Sequence, residues 1–306
     1  MIKLCNNLIF APLAGYTTPP IRHFFSVNGA GLCITEMVSA KAILHNNEKT
    51  KALLIVSKKE KIRSAQLFGS DPSDFAKAIA HPWLSEFDII DINMGCPVKK
   101  ITSNGEGSQL MADAKKAGDI VEAAAKAAKS VGKVVTVKTR LGIKHKEDIL
   151  KFAPVLEEAG ASMICIHGRT AEQMYSGEAD YQMIGKVKTL IKKAVFCANG
   201  DIIDKASFER IKMATKADYF MIGRGALYDT QIFNKLLNNN FLSKKDSILE
   251  LISCLEKFYD GSDTCIMLRK FLPYMLKGVR GGKEFRISMN YCDDINILKK
   301  GVNQLF

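Results

Sequence analysis

The chain has 306 residues, 47% of them hydrophobic and 25% charged, a balance that excludes an extensively disordered protein and fits a globular one. Lysine and arginine number 44 against 32 acidic residues, for a formal net charge of +12 at pH 7. That surplus fits a polyanionic partner such as nucleic acid or an acidic membrane surface, and equally an enzyme of small anions.

The N-terminus, Met1-Ile2-Lys3-Leu4-Cys5-Asn6-Asn7, has no long apolar stretch or small-residue cleavage site, so no secretory signal is expected. No uninterrupted apolar run of about 18 residues occurs, so no membrane span is expected. The eight cysteines form no C-x-x-C pair and the five histidines no helical pair, so no metal site is expected. Most cysteines sit among apolar neighbours, as in Met163-Ile164-Cys165-Ile166. Buried thiols of this kind suit a reducing compartment, and a cytoplasmic location is expected.

Short apolar, β-branched runs recur at 8–12, 31–37, 62–68, 88–94, 134–141, 162–167, 194–199 and 217–222. Segments with helical periodicity lie between many of them, among them 71–85, 108–130, 146–158 and 204–216. Eight strands alternating with helices predict a (β/α)8 TIM barrel. A doubly wound open sheet is disfavoured because the first strand leads into Ala11-Pro12-Leu13-Ala14-Gly15, not G-x-G-x-x-G. Beyond Tyr228 the pattern becomes helical, with Phe233, Leu236 and Leu237, then Ile248, Leu251, Ile252, Leu255 and Phe258. Asn238-Asn239-Asn240 reads as a linker. The expected division is a catalytic barrel over 1–235 and a small α-helical domain over 236–306.

A TIM barrel carries its active site at the C-terminal ends of the strands. There the chain places Glu36, Gln66, Asn93-Met94-Gly95-Cys96-Pro97, Lys138 and Arg140, His167-Gly168-Arg169, Asn199-Gly200-Asp201 and Gly223-Arg224-Gly225. The two late glycine turns fit the phosphate corner of barrels, where backbone N–H groups and a helix start receive an anion, with Arg224 adding a charged fork. Gly200 and Gly223 also suit plain short turns. A phosphate site joined to Gln66, Lys138 and His167 suits FMN, whose ring needs hydrogen-bond partners and a cation along its pyrimidine edge. Alone, a lysine at the Lys138 position serves equally as a Schiff-base nucleophile or a structural charge.

Cys96 differs from the other cysteines. It sits in a Gly-Cys-Pro turn directly after a strand, followed by Lys99 and Lys100. A thiol there is mostly protonated at neutral pH and can act as an acid, and neighbouring lysines ease release of the proton. The alternative is a thiol buried at a strand end.

Together, Ala11-Pro12-Leu13-Ala14-Gly15-Tyr16-Thr17, Gln66-Leu67-Phe68-Gly69, Asp91-Ile92-Asn93-Met94-Gly95-Cys96-Pro97-Val98-Lys99-Lys100, His167-Gly168-Arg169-Thr170, Ala198-Asn199-Gly200-Asp201-Ile202 and Ile222-Gly223-Arg224-Gly225-Ala226 resemble the tRNA-dihydrouridine synthases. The overall pattern is closest to the bacterial B-type branch. The resemblance runs from about residue 7 to 228, and a helical segment follows where the family has its RNA-binding domain. Asn-Met-Gly-Cys-Pro is its most specific part; the late glycine motifs occur in other FMN barrels too.

The resemblance implies an enzyme in which NADPH, or NADH, reduces FMN and hydride then passes to C6 of a uridine in tRNA. Cys96 would protonate C5. It assigns FMN contacts to Pro12, Leu13, Ala14, Gln66, Lys138, His167, Asn199, Gly200, Asp201, Gly223 and Arg224, a contact with the uracil or the flavin to Asn93, and orientation of the base to Arg169. Two departures bear on substrate contacts: Tyr16-Thr17-Thr18 stands where the family often has Val-Thr-Asp, and Gly107-Ser108-Gln109-Leu110-Met111 where it usually has Gly-Ser-Ala-Leu-Leu.

Charge supports an RNA partner independently. Between Arg269 and Arg286 there are six basic residues (Arg269, Lys270, Lys277, Arg280, Lys283, Arg286) and one acid, Glu284. Lys99, Lys100, Lys144 and Lys146 fall in loops at the catalytic face. These residues are expected to meet the tRNA backbone, with Lys99, Lys100, Arg269, Lys270, Lys277 and Arg280 foremost. Phe271 and Tyr274 interleave with them, at a spacing that also suits core residues of a helix. A monomer with no protein or membrane partner is expected. The rivals are an FMN barrel acting on free pyrimidines, as in dihydroorotate or dihydropyrimidine dehydrogenases, and a non-catalytic tRNA-binding barrel.

Overall fold

A computed structural model of the chain describes residues 3–306. The first two residues of the N-terminal stretch, read above for a secretory signal, lie outside the described residues.

Eight strands form a closed parallel barrel: β1 (Leu8–Phe10), β2 (Leu32–Ser39), β3 (Arg63–Phe68), β4 (Ile89–Met94), β5 (Val134–Arg140), β6 (Met163–His167), β7 (Val195–Asn199) and β8 (Tyr219–Ile222). Each strand pairs with the next in sequence, and β8 closes on β1 through Leu8↔Phe220, Ile9↔Met221 and Phe10↔Ile222. The expected (β/α)8 architecture is the observed one, because every β-branched run has apolar partners on both faces. Ile9, Ile34, Ile89, Met163, Cys165, Cys197 and Met221 fill the interior, while the alternate residues pack outward into the helical layer.

Capping chemistry sets the helix limits. The expected helix over 204–216 is Lys205–Thr215, with Asp204 accepting from the Ser207 N–H in a capping box and Lys216 closing it at φ 48°. The segment over 108–130 divides into a short 3₁₀ helix, Gly107–Ala112, and the helix Ala114–Ser130, because Asp113 caps the second through the Lys116 N–H. The 71–85 segment likewise divides into Pro72–Ile79 and Pro82–Leu84, since Pro82 cannot extend the first helix.

After β8 come helices Arg224–Tyr228, Ile232–Leu236, Lys244–Leu255, Gly261–Met275, Gly282–Ser288 and Ile295–Leu305. Lys244–Leu255 packs on the helix Pro19–Val27, and Gly261–Met275 on Arg224–Tyr228. Their buried residues, among them Ile248, Leu268, Phe271 and Val302, belong to the same apolar cluster as the outer barrel layer. At the seam Gln231 Nε2 donates to Asn28 Oδ1 at 2.9 Å, and Asn28 Nδ2 to Glu250 Oε2 at 3.2 Å.

Register sets the height of the polar strand ends. Gln66 is level with Asp91, Asn93 with Lys138, Arg140 with His167, and His167 with Asn199. Side chains two apart on a strand share a face, so Asp91/Asn93 and Lys138/Arg140 each stack one layer above the other.

Candidate active site

A cavity of about 690 Å³ opens at the C-terminal ends of the strands, within the size range of sites for small ligands and cofactors. Pro12, Leu13, Ala14, Gln66, Asn93, Cys96, Lys138, His167, Asn199, Gly200, Asp201, Gly223 and Arg224 all line it. The residues singled out in sequence after β1, β3, β4, β5, β6, β7 and β8 therefore converge.

The floor is a hydrogen-bonded row. Asp91, fully buried, accepts from Thr136 Oγ1 at 2.5 Å and from Gln66 Nε2 at 2.6 Å. Gln66 Oε1 accepts from Asn93 Nδ2 at 2.8 Å. Asn93 Oδ1 in turn accepts the N–H groups of Gly95 and Cys96, at 3.2 and 2.9 Å. Burial pushes the Asp91 carboxyl above the ordinary carboxylate range, while the bonds from Thr136 and Gln66 oppose that rise. The Lys138 ammonium forms no ion pair or hydrogen bond among the described residues and lines the cavity; burial pulls it below the ordinary lysine value.

The turn that carries Cys96 is held from three sides. Asn93 accepts its N–H groups, Arg140 Nε donates to Gly95 O at 2.8 Å, and Ser108 N donates to Cys96 O at 3.0 Å. Arg140 Nη1 also reaches the carbonyls of Thr170 and Met174, at 2.9 and 2.8 Å, which ties this turn to the loop after β6. Gly107 lies against the turn at φ +60°, where a Cβ would meet Cys96 O at 2.7 Å.

His167 forms the β6 wall of the cavity, with Arg169 behind it. Burial, then the nearby Lys138, Arg140, Arg169 and Arg224 charges, hold His167 well below the ordinary histidine value, so it is neutral. Its Nε2 lies 3.3 Å from Arg169 Nη1, which can only donate, so the ring proton belongs on Nδ1. Arg169 itself does not line the cavity. Its guanidinium is taken up by Asp201, at 2.9 and 2.6 Å, and by the carbonyls of Ser176 and Gly177, so the expected role in orienting the base has no free donor face behind it. Burial alone would raise the Asp201 carboxyl; the Arg169 fork and the Ala179 N–H hold it below the ordinary range.

In the turns after β7 and β8 the backbone N–H groups of Gly200, Asp201, Ile202 and Gly223 have no acceptor among the described residues, and all four residues line the cavity. Arg224 stands beside them, its guanidinium 4.4 Å from the Tyr175 ring centre and 3.5 Å from Asp201. Unpartnered N–H groups in successive turns, with a cation alongside, can receive an anion.

The basic residues fall elsewhere. Lys99 and Lys100 are exposed on the single-turn helix Lys99–Thr102 next to the Cys96 turn. Lys270, Lys277 and Arg280 are exposed on and after the helix Gly261–Met275, with Lys277 Nζ 5.2 Å over the Tyr228 ring. Arg269 is half-buried and donates to the Cys265 and Asn290 carbonyls, which binds it to its own helical region.

Arg140, Tyr175 and Tyr274 are among the lining residues to which the sequence assigned no role. Arg140 shares the strand face of Lys138 and was accessible to the period-two rule. Tyr175 sits in an irregular loop without periodicity. Tyr274, legible as a core position, comes from a tail helix that folds back to the barrel mouth, whereas its neighbour Phe271 is buried.

A closed parallel barrel with its cavity at the C-terminal strand ends, lined by hydrogen-bond donors and a free thiol, defines a (β/α)8-barrel enzyme. The family model for dihydrouridine synthase (Dus) matches residues 9–302, and the chain belongs to that family. It is 34% identical over 312 residues to tRNA-dihydrouridine synthase B of Pseudomonas syringae pv. tomato, covering 98% of this chain and 91% of that one. It is 32% identical over 322 residues to a probable tRNA-dihydrouridine synthase of Rickettsia bellii, covering 100% and 96%. Among solved structures, histamine dehydrogenase from Rhizobium sp. 4-9 aligns with a TM-score of 0.56 at 12% identity, over 82% of this chain and 49% of that one. A morphinone reductase mutant in complex with tetrahydroNAD aligns with a TM-score of 0.56 at 13% identity, over 77% and 87%. These two are likenesses of fold.

Proposed function

We propose that this dihydrouridine synthase reduces uridines of tRNA to 5,6-dihydrouridine with FMN in the cavity and NADPH, or NADH, as reductant. The observation that carries the reading is the shared cavity: it is lined by Cys96, by the Lys138 ammonium and by the residues of the turns after β7 and β8 whose N–H groups, like that ammonium, have no partner among the described residues.

FMN, when bound, supplies the hydride that adds to C6 of the uracil. The residues fit it: the N–H groups of Gly200, Asp201, Ile202 and Gly223, with Arg224, receive a phosphate, and Pro12, Leu13, Ala14 and Asn199 flank its path inward. Gln66, Lys138 and neutral His167 offer donors to a ring with carbonyl oxygens along one edge. Cys96 holds a proton on Sγ at the cavity wall and delivers it to C5, which quenches the enolate character that hydride addition leaves there. Asn93 presents its remaining N–H to the base. Arg169 acts one step removed, by holding Asp201 and His167.

The target base must leave its stack to reach the cavity. Lys99, Lys100, Lys270, Lys277 and Arg280 are placed to take the RNA backbone around it, and the helices over 236–306 serve as the tRNA-binding part. All eight cysteines are free thiols, in keeping with work in a reducing cytoplasm.

Nucleoside mass spectrometry of unmodified tRNA incubated with the protein, FMN and NADPH tests the reading. A uridine heavier by about 2 Da, hydride plus proton, and loss of that product in Cys96→Ala with flavin retained, are the expected results. No mass gain, together with RNA-independent NADPH oxidation accelerated by a free pyrimidine, would replace this reading with a small-molecule dehydrogenase.

A further inference from the structure

Asp91 lies beneath the cavity floor, is 0% exposed and does not line the cavity. One carboxylate oxygen meets Thr136 and the other accepts from Gln66 Nε2 at 2.6 Å. That single contact has directional consequences, because a side-chain amide donates at one end and accepts at the other. With its NH2 committed downward to Asp91, Gln66 must present Oε1 to Asn93, which donates at 2.8 Å. Asn93 must then present Oδ1 to the Cys96 turn, where it accepts from Cys96 N at 2.9 Å and Gly95 N at 3.2 Å. Turning the Gln66 amide over would set oxygen against the Asp91 oxygen and NH2 against the Asn93 NH2. A buried row of this kind is satisfied in one sense only.

We propose that Asp91 is a positioning residue, which fixes the direction of the Gln66 and Asn93 amides and thereby holds the Cys96 turn. Asn93 Oδ1 already accepts two N–H groups and Gln66 Oε1 accepts one, so the two amides leave the cavity one N–H donor each against a single acceptor site on Gln66 Oε1. With Lys138 beside them, the floor receives carbonyl oxygens, the groups along the pyrimidine edge of a flavin and of uracil. This role rests on the proposed chemistry for its meaning, but its geometry is independent of turnover.

The test compares Asp91→Ala with Asp91→Asn in the purified holoenzyme. The first readout is the rate at which iodoacetamide alkylates Cys96, followed on the Cys96 peptide by mass spectrometry. Asp91→Ala is expected to raise that rate by about fivefold, the weight of one buried hydrogen bond. Uridine turnover should fall by about tenfold, with KM for tRNA unchanged. Asp91→Asn keeps an oxygen that can accept from Gln66 and should hold both quantities to within about twofold of wild type. Should Asp91→Ala fail to give soluble protein, Gln66→Met cuts the same row one link on and should show the same rise in alkylation. Wild-type alkylation in whichever of these two variants is soluble overturns the proposal. So does Asp91→Asn impaired as badly as Asp91→Ala, which would make charge the operative property. If no uridine is reduced by the wild-type protein while alkylation follows the expected pattern, the functional reading falls and the role of Asp91 stands.

Discussion

Arg169 and Asp201 form a two-pronged ion pair across the ends of β6 and β7, Nη1 to Oδ1 at 2.9 Å and Nη2 to Oδ2 at 2.6 Å, with the arginine side chain 2% exposed. Asp201 has a left-handed backbone, φ 50°, and belongs to the turn whose N–H groups lack acceptors. The pair thus shapes the proposed anion corner, with Asp201 lining the cavity and Arg169 standing outside it. Arg169→Ala leaves the half-buried Asp201 carboxylate with the Ala179 N–H at 2.9 Å and Arg224 at 3.5 Å, and a destabilisation of about 2 kcal/mol is expected in urea unfolding. Flavin titration should show weakened FMN affinity. Asp201 is held below the ordinary carboxylate value, so its contribution is complete above about pH 4 and is lost as pH falls through the folded value.

His167 gives the opposite pH signature. A histidine held well below its ordinary value is neutral when folded, whereas the unfolded chain protonates below about pH 6.5. The unfolded state then binds more protons, so stability falls as pH drops from 7 toward 5.5, by at most about 1.4 kcal/mol per unit for one group. His23 is lowered too, first by burial and then by Lys257 and Lys59, and adds to the same slope. His167→Gln should therefore flatten the dependence only in part. Chemical denaturation at a series of pH values reads this directly, and an unchanged slope would contradict a neutral His167.

Gly107 supports Cys96 from behind. Its φ of +60° strains any other residue, and an added Cβ would lie 2.7 Å from Cys96 O and 3.2 Å from Cys96 Cβ. Gly107→Ala is expected to fold with a melting point a few degrees lower and to lose about tenfold in kcat through displacement of the Cys96 turn. Steady-state kinetics with the same tRNA would separate this from a change in KM.

Tyr274 brings the tail helix to the barrel mouth. Its ring stands edge-on to Tyr16 at 5.9 Å and to Tyr228 at 5.4 Å. Tyr274→Ala removes both contacts and should cost about 2 kcal/mol of stability, with reduced turnover because a cavity wall is lost. Tyr274→Phe keeps the packing and gives up only a 3.5 Å hydroxyl contact to Tyr16, so thermal unfolding and kcat should stay near wild type. Equal damage from both changes would assign the effect to the hydroxyl.

The amino-acid sequence alone determined the barrel and the level at which its polar residues lie. Eight apolar, β-branched runs at helix-length intervals admit few other folds, and the rule that catalysis sits at C-terminal strand ends then picks out Gln66, Asn93, Cys96, Lys138, His167 and the two glycine turns. Local chemistry settled these, since strand period and capping act over a few residues. Tertiary structure alone decided what each polar group is free to do. Arg169 and Lys138 look equally available as residues in a string; in the fold one is taken up by Asp201 and two carbonyls, and the other has no partner among the described residues. Arg269 reads as one more basic residue, yet carbonyls 4 and 21 residues away along the chain claim it. Tyr175 and Tyr274 reach the cavity from a loop and a distant helix, and Asp91 acts through two intervening amides. Hydrogen-bond partnership depends on which side chains meet across the barrel, and that is fixed only when the chain closes on itself.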